Sequence, residues 1–345
     1  QRKPYWSACE DSGSKVSATR NEPLSSGETA ELALELMTEK HRALFEQLGS
    51  VDVAYELEGS DRFRVNIYRQ RGAVALAIRR VTREIPDFDS LHLPAVCGKI
   101  AEAHQGLVLL SGATGSGKST TIAAMLEYIN TRRPCHIVTI EDPIEYLFED
   151  HKALVSQREI GIDVATFEIA LKYLMREDPD VVLIGEMRDR ETFQAALQAS
   201  ETGHLVFGTV HASSAASTIN RILELFDKDA RPQARQALSF NLRAIICQRL
   251  LPCLVEGIDR VPAVEIMLNN PSVRQLIEEG RDAELQEVIR SAEHEGMIDY
   301  NQSLLSLIER DFIDPRAAFD AAVNPDELKM MLRGINASQV GRLGR

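Results

Sequence analysis

The chain has 345 residues, of which 44% are hydrophobic and 26% are charged, values typical of a globular protein with about two domains. Acidic residues outnumber basic residues by 52 to 39, which gives a net charge of −13. Because sequence-independent binding of nucleic acid needs a broad basic surface, this balance predicts that nucleic acid is not a partner and makes a DNA translocase a poor interpretation.

The N-terminal part of the sequence predicts a small α+β domain. Residues 1–30 are polar, and helical spacing of apolar residues follows over Glu28–Gln47. The next elements are three β-rich segments, Val51–Leu57, Arg62–Tyr68 and Ala73–Val81, with turns at Gly59-Ser60 and Arg71-Gly72. Ile85–Pro94 carries two prolines and no clear period, which is typical of a linker. We therefore predict an N-terminal domain with its linker at residues 1–95.

From residue 106 onward, short apolar strands alternate with helices. The predicted strands are Leu107–Leu110, Ile137–Ile140, Val181–Ile184 and Leu205–Val210. This alternation is typical of a parallel sheet with helices on its faces. After about residue 213 the pattern is mostly helical, with one further strand candidate at Ala263–Leu268. The prediction is an α/β fold whose second domain covers residues 96–345 and is mostly helical from about residue 230.

Three other features bear on the class of protein. The five cysteines are scattered and form no CxxC pair, which disfavours a disulfide framework or a zinc ribbon and favours a reducing compartment. No uncharged apolar run approaches the roughly 18 residues of a membrane span. The start, Gln1-Arg2-Lys3, has neither a methionine nor an apolar leader, so we expect a truncated or engineered beginning. Together these features predict an intracellular protein.

Gly112–Ser119 reads GATGSGKS and fits the phosphate-loop pattern GxxxxGK[ST] between an apolar strand and a predicted helix, Thr120–Ile129. Glycines allow main-chain N–H groups to surround phosphates, and Lys118 is placed to reach the β- and γ-phosphate oxygens. Ser119 is placed to bind Mg²⁺, and the helix N-terminus adds a favourable partial charge. The predicted ligand is a nucleoside triphosphate with Mg²⁺. The candidate nucleotide-binding residues are Gly112, Ala113, Thr114, Gly115, Ser116, Gly117, Lys118, Ser119 and Thr120.

Carboxylates and a histidine follow the other predicted strands. Glu141, Asp142 and Glu145 follow the second strand, Glu186 follows the third, and His211 follows the fourth. Because parallel strands present their carboxyl ends at one edge of the sheet, we expect these side chains to converge near the phosphate loop. Such a cluster suits Mg²⁺ binding and activation of water. The alternative is a set of exposed acids that cap helices.

Some residues near these strands do not fit the simplest pattern. The third strand is followed by glutamate where a Walker B aspartate is expected, and Asp180 precedes it instead. His204 and His211 bracket the fourth strand and would lie about 23 Å apart at ~3.3 Å per residue, so a regular strand prevents them from sharing a metal. No Asn-Lys-x-Asp guanine motif occurs, so ATP is the preferred nucleotide by default.

Further segments carry a resemblance to a known family. Ile140–Glu145 (IEDPIE) looks like its Asp box, the segment from Arg176 to Asp189 (REDPD…GEMRD) like its Walker B region, and Thr202–His211 (TGHLVFGTVH) like its His box. In order and spacing the chain resembles the secretion-type ATPases of the type II, type IV and type IV pilus systems. Within that group it is most similar to the pilus retraction ATPases PilT and PilU. Pro271–Ile277 resembles a C-terminal element of PilT and Asn324–Leu332 is more like PilU, so both branches stay open.

The resemblance implies an N-terminal PAS-like domain, a RecA-like P-loop ATPase domain and a homo-hexamer. Lys118 and Ser119 would bind phosphate and Mg²⁺. Glu145 would orient or deprotonate the attacking water, Glu186 would be the Walker B carboxylate, and His211 would contact the γ-phosphate.

Arg62, Arg64 and Arg79 match positions where this family places arginines against the nucleotide. Arg62 and Arg64 lie two residues apart on a predicted strand, so they face the same side. The alternative is a solvated basic face on a hairpin.

The leading hypothesis is a motor that retracts type IV pili from the cytoplasmic face of the inner membrane. Its expected partners are an inner-membrane pilus platform protein and a paralogous retraction ATPase. The resemblance leaves two alternatives, an ATPase of a related secretion or conjugation system and a nucleotide-gated scaffold that recruits another motor. Two departures from the family are visible: residues 1–24 lack the usual Ser-Asp-Leu-His string, and the tetracysteine zinc site of pilus assembly ATPases is missing. The second departure favours retraction over assembly.

Overall fold

The computed structural model describes residues 24–56 and 62–334. They divide into two compact units. The first unit contains the residues up to Glu84 together with Glu145–Leu147, and the second unit contains Ile85–Ile144 and the chain from Phe148 onward. The predicted boundary at residue 95 lies within the second unit, because Leu93 is buried in its core and Phe88 packs there too. Residues 1–23, which are most of the predicted polar segment at residues 1–30, and the predicted turn at Gly59-Ser60 lie outside the described residues.

The described part of the first unit is a three-stranded antiparallel sheet with two helices. Its elements are α1 (Ser26–Leu36), α2 (Glu39–Leu48), β1 (Ser50–Glu56), β2 (Arg62–Gln70) and β3 (Ala73–Val81), in the sheet order β1-β2-β3. The helical spacing over Glu28–Gln47 is divided between two helices, because Thr38 begins a new one: its side chain accepts a hydrogen bond from the main-chain N–H of His41. The apolar face of the sheet, including Val65 and Ile67, is buried against Ala33 and Phe45.

The second unit contains a seven-stranded sheet. Its strands are β4 (Gly106–Ser111), β5 (His136–Glu141), β6 (Leu154–Glu159), β7 (Val181–Ile184), β8 (Leu205–Val210), β9 (Leu242–Pro252) and β10 (Arg260–Leu268). Their order is β10-β9-β4-β8-β7-β5-β6, and every neighbouring pair is parallel except β9 and β10. The carboxyl ends of β4, β5, β7 and β8 therefore lie at one edge, as the alternation of elements predicted.

Helices cover both faces of this sheet. They are α3 (Val96–Ala101), α4 (Lys118–Asn130), α5 (Phe167–Leu174), α6 (Arg190–Glu201), α7 (Ala215–Glu224), α8 (Arg231–Asn241), α9 (Pro271–Glu279), α10 (Leu285–Ser291), α11 (Tyr300–Glu309), α12 (Pro315–Ala321) and α13 (Pro325–Leu332). Successive residues of β4 point to opposite faces, and both sets are buried: Leu107 and Leu109 pack on one side, Val108 and Leu110 on the other. The predicted α/β fold class is confirmed.

Two strands were absent from the sequence prediction. β6 at the sheet edge was not predicted, and β9 lies in a stretch that was predicted to be helical. β9 follows α8 without an intervening glycine or proline, and its apolar run cannot be distinguished from a buried helix by periodicity. The part that was predicted to be mostly helical from about residue 230 therefore contains α8, then the β9–β10 hairpin, and then the helices α9 to α13. No helix within residues 24–56 and 62–334 is long and apolar enough to cross a membrane.

Candidate nucleotide-binding site

The glycine-rich loop connects β4 to α4. Gly112, Gly115 and Gly117 have φ angles of 151°, 76° and 87°, in a region that favours glycine. α4 begins at Lys118, directly after the loop, so the N–H groups of its first turn have no partner within the helix. This geometry provides the main-chain donors and the positive helix end that bind phosphate groups.

β9 approaches the same loop closely. A Cβ atom at Gly112 would lie 2.5 Å from the main-chain oxygen of Gln248, and a Cβ at Gly117 would lie 2.6 Å from Gln248 Nε2. The Gln248 Oε1 atom also accepts a hydrogen bond of 2.8 Å from the hydroxyl of Thr121 in the first turn of α4. Two of the loop glycines are therefore required by packing as well as by their φ angles.

Lys118 lies against the loop that precedes it. Its Nζ atom donates hydrogen bonds to the main-chain oxygens of Gly112 and Ala113 at 2.9 and 3.0 Å. Burial lowers the pKa of Lys118, while the negative charge of Glu186 acts in the opposite direction. Ser119 is exposed at the start of the helix. The ammonium and hydroxyl groups are thus held at the mouth of the loop.

Glu186 follows β7 and has charged neighbours. His211, which follows β8, has its Nε2 atom 3.2 Å from Glu186 Oε1, and the Arg188 guanidinium donates to Glu186 Oε2. The hydrogen bond from Arg188 holds the pKa of Glu186 below its usual value, with help from the charges of Arg188, His211 and Lys118 and against the effect of burial. An ionised carboxylate, an imidazole and two cations therefore occupy the sheet edge beside the phosphate loop.

The three carboxylates at the carboxyl end of β5 and in the loop that follows it have different surroundings. Glu141 is buried and accepts hydrogen bonds from the side chains of Thr139 and Gln157. Asp142 precedes a cis proline peptide bond. Glu145 belongs to the first unit, where Leu147, two residues further on, donates from its main-chain N–H to Thr82. The second unit therefore brings together Lys118, Glu186 and His211 but does not include Glu145.

The three candidate arginines share one face of the sheet of the first unit. Arg64 and Arg79 are direct partners across β2 and β3, and Arg62 lies two residues along β2 from Arg64. This face is opposite the one that buries Val65. Arg64 Nε lies 4.0 Å from Asp52 Oδ1. Two arginines directly opposite each other repel, which makes this face a candidate for contact with an anion.

His204 and Asp180 lie at the opposite edge of the large sheet. His204 Nδ1 is 2.9 Å from the main-chain oxygen of Ala199 at the end of α6, and Asp180 Oδ2 accepts a hydrogen bond from the main-chain N–H of His136. Both side chains hold neighbouring main-chain groups in place, away from the phosphate loop.

The donor atoms at this edge fit a hard cation bound together with phosphates. Ser119 and Glu186 offer oxygen atoms, which Mg²⁺ prefers, and Mg²⁺ commonly takes few protein ligands and completes its shell with phosphate and water. Within residues 24–56 and 62–334, no group of three or more His, Cys, Asp or Glu side chains is arranged to hold a metal without such a ligand.

Sequence reasoning missed several residues around this site. Arg188 lies within the segment that resembles Walker B but was not singled out. Gln248 had no sequence signal, because its strand was predicted to be helical and it is 127 residues from Thr121. Glu265, on β10, is buried and accepts a hydrogen bond of 2.7 Å from the N–H of Ala215, the first residue of α7. Its apolar neighbours gave no indication of this role.

A strand, a glycine-rich loop and a helix that begins at Lys118, with acidic and imidazole side chains at the neighbouring strand ends, define a P-loop nucleoside triphosphatase. Residues 91–295 match the family described as Type II/IV secretion system protein. The chain is 41% identical to a twitching motility protein of Neisseria gonorrhoeae, over 88% of this chain and 81% of the relative. It is 40% identical to the type IV pilus retraction ATPase PilT of Pseudomonas aeruginosa, over 88% of both chains. The chain therefore belongs to the type II/IV secretion ATPase family.

A solved structure supports the same conclusion about the fold. The crystal structure of the pilus retraction motor PilT with bound ADP superposes with a TM-score of 0.82 at 46% sequence identity and covers 88% of this chain and 86% of that one. The resemblance stated from the sequence motifs is thus confirmed.

Proposed function

We propose that this protein is a Mg²⁺-dependent ATPase that powers the retraction of type IV pili. The observation that carries the proposal is the convergence of Lys118, Glu186 and His211 beside the phosphate loop. The names of the Neisseria and Pseudomonas relatives, and that of the PilT structure, support retraction as the work to which hydrolysis is coupled.

In this proposal the residues from Gly112 to Thr120 bind the nucleotide. Main-chain N–H groups of the loop and the Lys118 ammonium hold the phosphates. Ser119 and Glu186 hold Mg²⁺ together with the nucleotide. When bound, the metal supplies charge neutralisation on the phosphates during transfer.

Glu145, Glu186 and His211 divide the remaining chemistry. Glu145 orients the attacking water or accepts its proton. Glu186 is held ionised and oriented by Arg188, which suits the organisation of a cation. His211 contacts the γ-phosphate, so the segment that follows β8 changes its position according to whether the γ-phosphate is present.

Arg62, Arg64 and Arg79 act on a nucleotide bound by a neighbouring subunit of a homo-hexamer. A charge-assisted contact to the γ-phosphate favours closure only while ATP is present. The repulsion between Arg64 and Arg79 supports this role, because a shared anion relieves it. Mixing Lys118→Ala chains with Arg64→Ala chains tests the proposal: mixed rings should regain activity, and no recovery where subunits exchange would oppose it.

The work is proposed to take place at the cytoplasmic face of the inner membrane, on a pilus platform protein, with a paralogous retraction ATPase as a second partner. The same site would also serve an ATPase of a related secretion system. Deleting the gene separates these possibilities. Surplus surface pili with loss of twitching support retraction, bald cells indicate assembly, and unchanged pili point to another secretion system.

The enzymatic part is tested with purified full-length protein. We expect ATP hydrolysis that requires Mg²⁺ and is lost in Lys118→Ala, because the substitution removes phosphate positioning and charge neutralisation together. Lys329→Ala, which removes an exposed lysine of α13, is the matched control and should hydrolyse ATP like the parent. Parent-level hydrolysis in Lys118→Ala would overturn the assignment of the site, and nucleotide binding without turnover in the parent would favour the scaffold alternative.

A further inference from the structure

We propose that Gln248 is a positioning residue for the phosphate loop. From β9 it holds the loop and the first turn of α4 in place, and it thereby orients the side chains of Lys118 and Ser119. The inference rests on the proposed function and adds to it a residue that belongs to none of the sequence motifs. Gln248 acts through Gly112, Gly117 and Thr121, not through the nucleotide.

Gln248 lies close to both ends of the phosphate loop. Its main-chain oxygen limits the space at Gly112, where the loop begins, and its Nε2 atom limits the space at Gly117, where the loop ends. Its Oε1 atom accepts the Thr121 hydroxyl at 2.8 Å. One residue of β9 thus touches the loop at both ends and the helix that follows.

Burial makes these contacts specific. Gln248 is 3% exposed and Thr121 is 1% exposed, so their hydrogen bond is protected from water. A buried hydroxyl that loses its partner destabilises the local arrangement, and the chain then shifts to satisfy it.

The position of Thr121 explains why such a shift would reach the chemistry. Thr121 lies three residues after Lys118 and two after Ser119, within one turn of the same helix. Rotation of that turn about the helix axis would move the lysine ammonium and the serine hydroxyl together. Because phosphate transfer depends on positioning, a displacement of about 1 Å can lower the rate about 100-fold.

The hairpin that carries Gln248 also provides a matched control. Val264 is the register partner of Gln248 on β10, and its main-chain N–H donates to the hydroxyl of Ser303 on α11 at 3.0 Å. Ser303→Ala therefore removes a buried hydrogen bond from the same hairpin on the side away from the phosphate loop. A loss of activity that comes only from a weakened hairpin would appear in this variant too.

The experiment measures ATP hydrolysis, binding of a fluorescent ATP analogue and the melting temperature of the full chain. The variants are Gln248→Met, which keeps the length of the side chain, Thr121→Val, which keeps its shape, the double variant, Thr121→Ser, which keeps the hydroxyl, and Ser303→Ala. We expect Gln248→Met and Thr121→Val each to lower kcat roughly 10- to 100-fold with a smaller change in KM. The double variant should be no worse than either single variant, because both remove the same contact. Thr121→Ser should retain most of the parent kcat, and Ser303→Ala should lower the melting temperature without lowering kcat.

Specific outcomes overturn the inference. Parent-level kcat in Gln248→Met and Thr121→Val excludes a positioning role, and losses that multiply in the double variant show that the two residues act separately. An equal loss of kcat in Ser303→Ala assigns the effect to hairpin stability. If the parent protein binds the analogue without hydrolysing it, only the proposed ATPase function is contradicted. The variants then test the inference through the affinity for the analogue. That affinity should fall in Gln248→Met and Thr121→Val but not in Ser303→Ala. A parent that does neither overturns both.

Discussion

His211 and Glu186 face each other at the carboxyl ends of neighbouring strands, with Nε2 of the imidazole 3.2 Å from Oε1 of the carboxylate. The other carboxylate oxygen accepts the guanidinium of Arg188. Glu186 is thus held from two sides, by residues that follow β8 and β7. A contact between the γ-phosphate and His211 would therefore change the surroundings of Glu186, the carboxylate proposed to hold Mg²⁺.

Glu186→Gln should bind ATP but lower kcat by about 100-fold or more, because it keeps the shape of the side chain and removes the charge that organises the metal. Steady-state hydrolysis and analogue binding on the same preparation measure the two effects. Asp180→Asn, at the opposite end of β7, is the control and should hydrolyse ATP like the parent. Equal kcat in Glu186→Gln and Asp180→Asn would remove Glu186 from the site.

Glu145→Gln should also bind ATP and turn it over poorly, with a loss of about 100-fold, because an amide cannot accept the proton of the attacking water. Single-turnover hydrolysis in excess enzyme separates this step from product release. Glu141→Gln is the informative comparison, since the Glu141 carboxylate is buried and already hydrogen bonded to Thr139 and Gln157. If Glu145→Gln hydrolyses normally and Glu141→Gln does not, the base is Glu141.

Glu265 should make stability depend on pH. Burial raises its pKa from 4.5 to about 7, with a contribution from Asp299 and against the hydrogen bond from Ala215 and the charge of Arg249. The folded state therefore binds the proton more tightly than the unfolded state. The resulting stabilisation is complete below about pH 4.5 and is lost as the pH rises through about 7.

Glu265→Gln cannot ionise and keeps an acceptor for the N–H of Ala215. Relative to the parent, its free energy of unfolding should rise by about 2–3 kcal/mol between about pH 5 and about pH 8, measured by urea unfolding. Glu309→Gln, an exposed position on α11, controls for the loss of a charge. A difference between Glu265→Gln and the parent that stays constant with pH would contradict this prediction.

Arg274→Ala should leave the proposed homo-hexamer and most of the ATPase activity intact but abolish pilus retraction. Arg274 is exposed on α9, and its guanidinium lies over the ring of Phe240, which is itself 56% exposed, at 5.5 Å from the centroid. An exposed pair of this kind is worth about 0.5–1 kcal/mol, too little to determine folding. The measurement pairs the ATPase rate of purified protein with twitching and surface pilus counts in cells, and normal twitching would assign α9 an ordinary packing role.

Leu276→Ala in the same helix should instead lower the free energy of unfolding by about 2–5 kcal/mol. Val273, Leu276 and Ile277 recur at helical spacing as an apolar stripe on α9, and all three side chains are buried. Urea unfolding measures this loss. Stability equal to that of the parent would show that the stripe contributes little to the core.

Local patterns predicted the parts of this protein that depend on neighbouring residues. The phosphate loop, the strands that end near Glu186 and His211, and the buried stripe of α9 each have a signal within about ten residues. The cap at Thr38 was missed because the apolar spacing continues across it. The signal lay in the threonine itself, because its hydroxyl competes with the carbonyl groups of the preceding helix as an acceptor for main-chain N–H groups.

Other features depend on contacts between distant parts of the chain. β9 pairs with β4, more than a hundred residues earlier, and no pattern within a short window of sequence contains that pairing. The roles of Gln248 on β9 and Glu265 on β10 follow from the pairing of β9 with both β4 and β10, since each side chain contacts a segment that is distant in the sequence. Periodicity within a window cannot register such contacts.

The hydrogen bond from Leu147 to Thr82 has a consequence for any shortened form of the protein. A fragment that starts at Ile85 would retain all seven strands of the large sheet and the complete phosphate loop. It would lack the carbonyl group that receives the main-chain N–H two residues after Glu145. Such a fragment should bind nucleotide but hydrolyse it more slowly than the whole chain, because the segment that carries Glu145 would have lost this hydrogen bond.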